Sequence, residues 1–376
     1  MKRNLNTSYR LVWNEVLGAF VVVSELAKAK GKRSTAVLAL AVAGLVASPA
    51  VLADDAPGNI STVEIGDVVT GTVITDHNSQ IVFGEANNTT INTGLEFGVD
   101  NDDNTGGQWV QAGGVATQST INSNGLQGVM QGGSATDTTV NSDGGQSVHG
   151  QASGTMLNGG QQWVHSGAIA SGTVINDGGW QAVKAGAQAT GTVINTGAQG
   201  GPDAENSDGM FVAGTATDTT INANGRQIIA VGGLATGTVI KAGGDQSVHG
   251  SAHTTRLDGG YQYVHDGASA TDTVINAGGW QVVQSGATAD NTTVNADGKL
   301  QVNAGGTATN VTQNAGGALV TNTSATVSGT NSLGNFSVDA ATASATNVLL
   351  ENGGRLDVLG NGSADTTTVN QGGILA

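Results

Sequence analysis

The sequence predicts an all-β protein: a parallel β-solenoid with rungs of about 19 residues, preceded by a helical signal peptide. Three observations carry this. The stretch Gly144–Asn195 (GGQSVHGQASGTMLN, GGQQWVHSGAIASGTVIND, GGWQAVKAGAQATGTVIN) returns almost unchanged 100 residues later as GGDQSVHGSAHTTRLD, GGYQYVHDGASATDTVINA and GGWQVVQSGATADNTTVN. Within each unit, apolar residues alternate with polar ones over short runs, the period of a strand. Gly-Gly pairs punctuate the runs, and only 3 Pro occur in 376 residues, so the punctuation is by turns that glycine permits.

Composition narrows the function. Gly contributes 60 residues, aromatics 3% and charged residues 11%, which is poor material for an ordinary enzyme core. Cys is absent, which excludes a disulfide scaffold and thiol chemistry. The net charge is −16; without residues 1–53, 6 basic and 27 acidic residues remain. Such a surface repels nucleic acid and anionic lipid and keeps copies apart at low salt.

The chain opens with an export address. Residues 34–53 read STAVLALAVAGLVASPAVLA behind Lys28, Lys30, Lys32 and Arg33. The apolar run is too short to span a bilayer and fits a secretory signal, with cleavage expected between Ala53 and Asp54. Residues 54–105 alternate irregularly, through Ile60–Ile65, Val68–Ile74 and Gln80–Phe83. They are expected to form an atypical cap on the stack. Regular repeats should fill 106–315 as two units, 106–205 and 206–305, with looser repeats over 316–376. Rungs begin near Gly106, Gly125, Gly144, Gly159 and Gly178, then Gly209, Gly225, Gly243, Gly259, Gly278 and Gly298. Each should hold two strand-like runs. In ATDTTVN (135–141), Thr138 and Val140 share one face, Asp137 and Thr139 the other. Asn122, Asn141, Asn176, Asn195, Asn222, Asn276 and Asn295 recur just before a corner, where asparagine tolerates left-handed backbone. Roughly 16 rungs at about 4.8 Å would make a rod of roughly 75–80 Å. Gln108, Gln127, Gln146, Gln162, Gln181, Gln227, Gln246, Gln262 and Gln281 each precede Val or Ile by two. They predict a hydrogen-bonded glutamine ladder at or near the core edge.

Two resemblances follow from these residues. Asn6, Tyr9, Trp13-Asn14, Phe20, Ser24-Glu25-Leu26-Ala27 and Gly31-Lys32 resemble the extended signal peptide of type V secretion proteins of Gram-negative bacteria. The motif GGxQxVxxGGxAxxTxVxx, over roughly 106–315, resembles the passenger repeats of AIDA-type autotransporter adhesins. The resemblance implies a right-handed parallel β-helix displayed on the outer-membrane surface. It implies adhesion to host-cell or matrix receptors, autoaggregation with other copies on neighbouring cells, and biofilm growth. It also implies export by the Sec machinery, an outer-membrane translocator barrel, and a glycosyltransferase that adds heptose to Ser or Thr, for which Ser134, Ser153, Ser166, Ser171, Ser269 and Ser285 are available. No barrel signature of aromatic-girdled strands is found before Ala376, so a truncated chain or a separate translocator is expected.

Candidate sites are few. His149 and His165 occupy matching rung positions, as do His249 and His265; without cysteine or carboxylate at ligand spacing they read as a duplicated surface residue, and neither a metal nor any other cofactor is expected. Two acidic insertions, with Asp100, Asp102 and Asp103 and with Asp203, Glu205 and Asp208, read as solvated loops and candidate partner contacts; neither matches a calcium-binding pattern. Trp109, Trp163, Trp180, Tyr261, Tyr263 and Trp280 lie near the corners, where packing across rungs is favoured over stacking on sugars. The rival functions are a β-helical polysaccharide lyase or hydrolase and a passive stalk. Asp137, Asp143, Asp177, Asp218, Asp245, Asp258, Asp266 and Asp272 mostly fall at equivalent turn positions, and nothing pairs a nucleophile with a base. The sequence is therefore read as a non-enzymatic adhesin passenger that works through repeated weak contacts.

Overall fold

A computed structural model describes residues 59–94, 106–197 and 209–376, together with strands Tyr9–Asn14 and Ala19–Ser24. These two strands pair antiparallel, Tyr9 with Ser24 and Asn14 with Ala19. The signal region was expected to be helical; this part of it is extended, as the run of Val and aromatic residues favours. Residues 34–53 lie outside the described residues.

The body is a parallel solenoid. One sheet stacks 16 strands, from Ile60–Val63 to Ile374–Leu375, four residues long as far as Lys299–Val302, and a second joins 29 strands, most of two or three residues. Each regular rung thus carries three strands rather than the expected two, for example Leu126–Val129, Ser134–Thr136 and Thr139–Asn141. The Thr-rich run is split by one residue in left-handed backbone, Asp137 (φ 54°) in this rung and Gly154 (φ 65°) in the next. Asp tolerates that conformation through its short polar side chain; Gly does so without a Cβ.

Register is held rung to rung. Gln127 pairs with Gln108 and then Gln146, Ala135 with Ala116 and Ala152, Val140 with Ile121 and Leu157. Three apolar columns therefore run the length of the core: Val from the first strand, Ala from the second, Ile, Val or Leu from the third, nearly all fully buried. Ala in the middle column keeps the three walls close. A one-residue slip would turn every column outward, which fixes the register.

The glutamines lie deeper than expected. Gln108, Gln127, Gln146, Gln162, Gln181, Gln227, Gln246, Gln262 and Gln281 are all 0% exposed, inside the core rather than at its edge. Each amide must therefore be satisfied internally. Gln127 Nε2 donates to Gln108 Oε1 (2.7 Å), Gln146 Nε2 to Gln127 Oε1 (2.7 Å), and Thr138 Oγ1 to Gln127 Oε1 (3.2 Å). Met210 interrupts the column, and Gln227 Nε2 turns to Thr219 Oγ1 at 3.2 Å and Met210 Sδ at 3.4 Å.

The corner asparagines also differ from expectation. Asn122, Asn141, Asn176, Asn195, Asn222, Asn276 and Asn295 do not adopt positive φ; after all but Asn195 the left-handed residue lies two further on, as at Asn124 and Asn224. Their side chains form a second ladder, Asn141 Nδ2 donating to Asn122 Oδ1 and Asn195 Nδ2 to Asn176 Oδ1.

Residues 59–94, expected as an irregular cap, run as two rungs in register with the rest: Ile60–Val63 pairs with Ser79–Val82, and Ser79–Val82 with Gly107–Val110. Their own small cluster of Val63, Val82, Ala86 and Val69 fills that end. Near the other end an antiparallel hairpin, Thr326–Asn331 with Gly334–Asp339, interrupts the stack before Arg355–Asp357 resumes it on Ala318–Asn322.

Candidate functional site

A rod of repeats offers faces rather than a pocket. On the 29-stranded sheet the second strand of each rung points two side chains outward. In register these form two columns: Val115, Ser134, Gln151, Ile169, Gln188 and Thr215 continuing to Ser269, and Thr117, Thr136, Ser153, Ser171, Thr190 and Thr217 continuing to Thr271. No carboxylate or amine occurs in either column between Val115 and Thr271; His253 is the one titratable side chain in that span. Hydroxyls link neighbouring rungs, Ser153 to Thr136 at 3.3 Å, Thr217 to Thr190 at 3.0 Å and Ser269 to Ser251 at 3.2 Å. The acidic turn residues Asp137, Asp218 and Asp272 border this neutral face.

The outer face of the 16-stranded sheet is different. Here the His149 and His165 rings stack at 4.0 Å between centroids, within 8° of parallel, and His249 and His265 repeat this at 4.1 Å and 9°. Ser147 Oγ lies 3.4 Å from His149 Nε2 and 3.1 Å from His165 Nε2; Ser247 Oγ lies 3.3 and 2.8 Å from His249 and His265 Nε2. Sequence reasoning found the histidines and missed the serines. The spacing Ser-Val-His was the available signal, because i and i+2 share a strand face.

The aromatics pack across rungs on the same face, as expected. Trp163 meets Trp180 edge-on at 5.7 Å, Tyr261 lies 5.9 Å from Trp280, and Lys299 Nζ sits 4.5 Å above the Trp280 ring. Trp109 is buried, donates its Nε1–H to the Gly106 carbonyl at 2.8 Å, and lies over Gly128, where an added Cβ would come within 2.4 Å of the ring. Burial, then the Asp245 carboxylate, then the Tyr261 phenol hold the Tyr263 phenol above its usual range.

Carboxylates follow the turn expectation in part. Asp137, Asp143, Asp218 and Asp272 take left-handed backbone. Asp245 and Asp258 lie instead in strands, Asp245 in a buried ion pair with Arg226 (3.7 Å) and Asp258 in an exposed one with Arg256 (2.8 Å). Among the described residues no group of three or more His, Cys, Asp or Glu converges on a common point. A cleft of about 500 Å³ beside the hairpin is lined by Asn291, Asn310, Thr312, Thr330, Asn335 and Phe336 among others, with no carboxylate or imidazole to act as acid or base. The acidic residues Asp100, Asp102, Asp103, Asp203, Glu205 and Asp208 lie outside the described residues, as do Ala53 and Asp54.

Comparison with known proteins accounts for this architecture. Residues 6–52 match the family described as "Extended Signal Peptide of Type V secretion system". Residues 149–198, 247–298 and 328–376 match the family described as "Adhesin of bacterial autotransporter system, probable stalk". The crystal structure of a hyper-glycosylated TibA fragment, glycosylated by TibC, is similar at 41% sequence identity and a TM-score of 0.64, over 73% of this chain and 95% of that one. A further match, the Agl-KA catalytic domain, has 8% identity and a TM-score of 0.24, too little to carry an argument. The signal extension and the repeats place the chain on the outer-membrane surface of a Gram-negative bacterium, as a passenger and not an enzyme. The chain belongs to the AIDA-type adhesins of the bacterial autotransporter system.

Proposed function

We propose that this passenger adheres by self-association, pairing with copies on neighbouring cells through many weak contacts along the rod. One observation carries the reading: the neutral double column from Val115 to Thr271 on the 29-stranded sheet. A chain with 29 acidic and 13 basic residues repels its own copies. Two such faces can approach where neither presents a charge, and Ser, Thr and Gln then exchange hydrogen bonds with matching groups. Each contact is weak, and repetition converts weakness into avidity. Val115 and Ile169, about two-fifths exposed, add apolar area to the same face.

Adhesion to a host-cell or matrix receptor would use the same surface and makes biofilm growth its consequence. In this reading the Sec machinery exports the chain and an outer-membrane translocator barrel passes it to the surface. The TibA fragment is glycosylated by TibC. By analogy a partner glycosyltransferase would modify hydroxyls here, and Ser166 and Ser285 are the exposed ones among the sequence candidates. Sugars on the columns themselves would replace the neutral face by a hydrated one.

Cells displaying the chain should settle faster as salt rises from low ionic strength, because screening removes the repulsion between rods. Absence of aggregation at every ionic strength would refute self-association. Replacing Thr136, Ser171 and Thr217 together by Asp should abolish settling while leaving surface display intact.

A further inference from the structure

We propose that the cleft beside the hairpin is a binding site for a neutral saccharide. It opens where a ridge of left-handed turn residues stops. That ridge runs through Asp272 (φ 55°), Asn291 (φ 55°) and Asn310 (φ 54°), whereas the next strand, Thr326–Asn331, carries no such residue. The volume of about 500 Å³ lies within the range of small-molecule sites, roughly 300–1,000 Å³.

Every polar side chain in the lining is uncharged. Asn291 Nδ2 donates to Asp272 Oδ1 at 2.6 Å and Asn310 Nδ2 to Asp290 Oδ1 at 2.7 Å. These bonds orient both amides and leave their Oδ1 atoms as acceptors. Thr312, Ser328, Thr330 and Asn335 make no side-chain hydrogen bond among the described residues. The hairpin wall is fixed in place: Asn347 Nδ2 donates to the Asn335 carbonyl at 2.8 Å, and Asn331 Nδ2 to the Asn347 carbonyl at 2.9 Å. A preformed wall spares a ligand the cost of ordering it.

This chemistry selects the ligand. Sugar hydroxyls both donate and accept, and so match amide oxygens and free hydroxyls. An apolar ligand gains little, because Val311 and Phe336 at the base are almost wholly buried. An extended peptide would need a free strand edge, but Thr326–Asn331 is paired on both sides. An anionic sugar would meet Asp272 and Asp290 behind the asparagines. Hydrogen bonds from Thr309 and then Asn310 hold the Asp290 carboxyl below its usual range, so it stays charged.

The test is saturation-transfer NMR on the purified exported chain, made without a glycosyltransferase. The probes are glucose, galactose, mannose, N-acetylglucosamine, lactose and cellobiose, with glucuronic acid as the anionic comparison. At least one neutral sugar should receive transfer and glucuronic acid should not. Thr330→Trp, which fills the cleft, should abolish the signal, and so should Asn335→Trp, which keeps the test decisive if one variant fails to fold. Ala304→Trp, on an exposed turn outside the lining, should keep it. Cells displaying Thr330→Trp should settle as the native chain does, so this site and self-association fail or stand separately. Silence from every neutral sugar, equal transfer to glucuronic acid, a folded Thr330→Trp that still binds, or loss in Ala304→Trp overturns the proposal.

Discussion

Gln181 shows what the fold asks of one residue. Its Nε2 donates to Gln162 Oε1 at 2.6 Å and to Thr173 Oγ1 at 3.1 Å, and its Oε1 accepts from Thr192 Oγ1 at 3.3 Å. Gln181→Ala leaves a cavity and orphans buried partners, and should lower stability by about 2–4 kcal/mol in urea unfolding. Gln181→Met should cost less, because Met210 fills the same column in the native chain. Equal losses would show that the amide, not packing volume, matters there. Tyr263 gives a pH-dependent case. Its raised pKa means that the folded chain favours the neutral phenol, so the contribution to stability is present below the ordinary tyrosine value of about 10 and is lost as pH rises through the folded value. In an absorbance titration its phenolate should appear later than that of a free tyrosine, and Tyr263→Phe should remove this late step. The spacing of Gln before Val revealed the ladder, but not its depth, because an amide that finds its partners is as stable inside as at an edge. The corner asparagines were misread for a related reason: the same side chain suits left-handed backbone and cross-rung pairing, and spacing alone does not separate the two.

At the scale of the rung, the three-strand division depends on single turn residues. Asp137 sits at φ 54°, where its register neighbour is Gly154. Asp137→Gly should be nearly neutral and Asp137→Ala should cost about 1 kcal/mol, a ranking readable as a shift in the urea midpoint. Equal losses in both variants would mean that the aspartate's exposed side chain, not its backbone, holds the turn. Rung starts were legible because Gly-Gly pairs mark them. The division of the Thr-rich run was not, since Asp, Gly, Gln, Thr and Asn all fill the turn position and leave no common letter. Within 54–105 the irregular spacing hides the rungs, and Ser61 stands where the next rung has Gln80, yet Val63, Val82 and Ile74 keep the inward pattern that sets register.

For the whole molecule, the repeat that made the fold legible also argued against a single chemical centre. The neutral face was not legible, because outward Ser, Thr and Gln look like ordinary solvent-facing polarity until register aligns them over successive rungs. Its length is what self-association should depend on. The most direct measurement is the settling of cells displaying either the full chain or a chain lacking residues 145–244, which joins Gly144 to Asp245 and removes five rungs at equivalent positions. Parallel stacking should let the shortened solenoid fold, since each rung contacts mainly its neighbours. The account predicts equal surface display, slower settling, and a higher salt concentration for its onset in the shortened chain. Settling unchanged by the loss of those rungs would contradict multivalent contact along the rod.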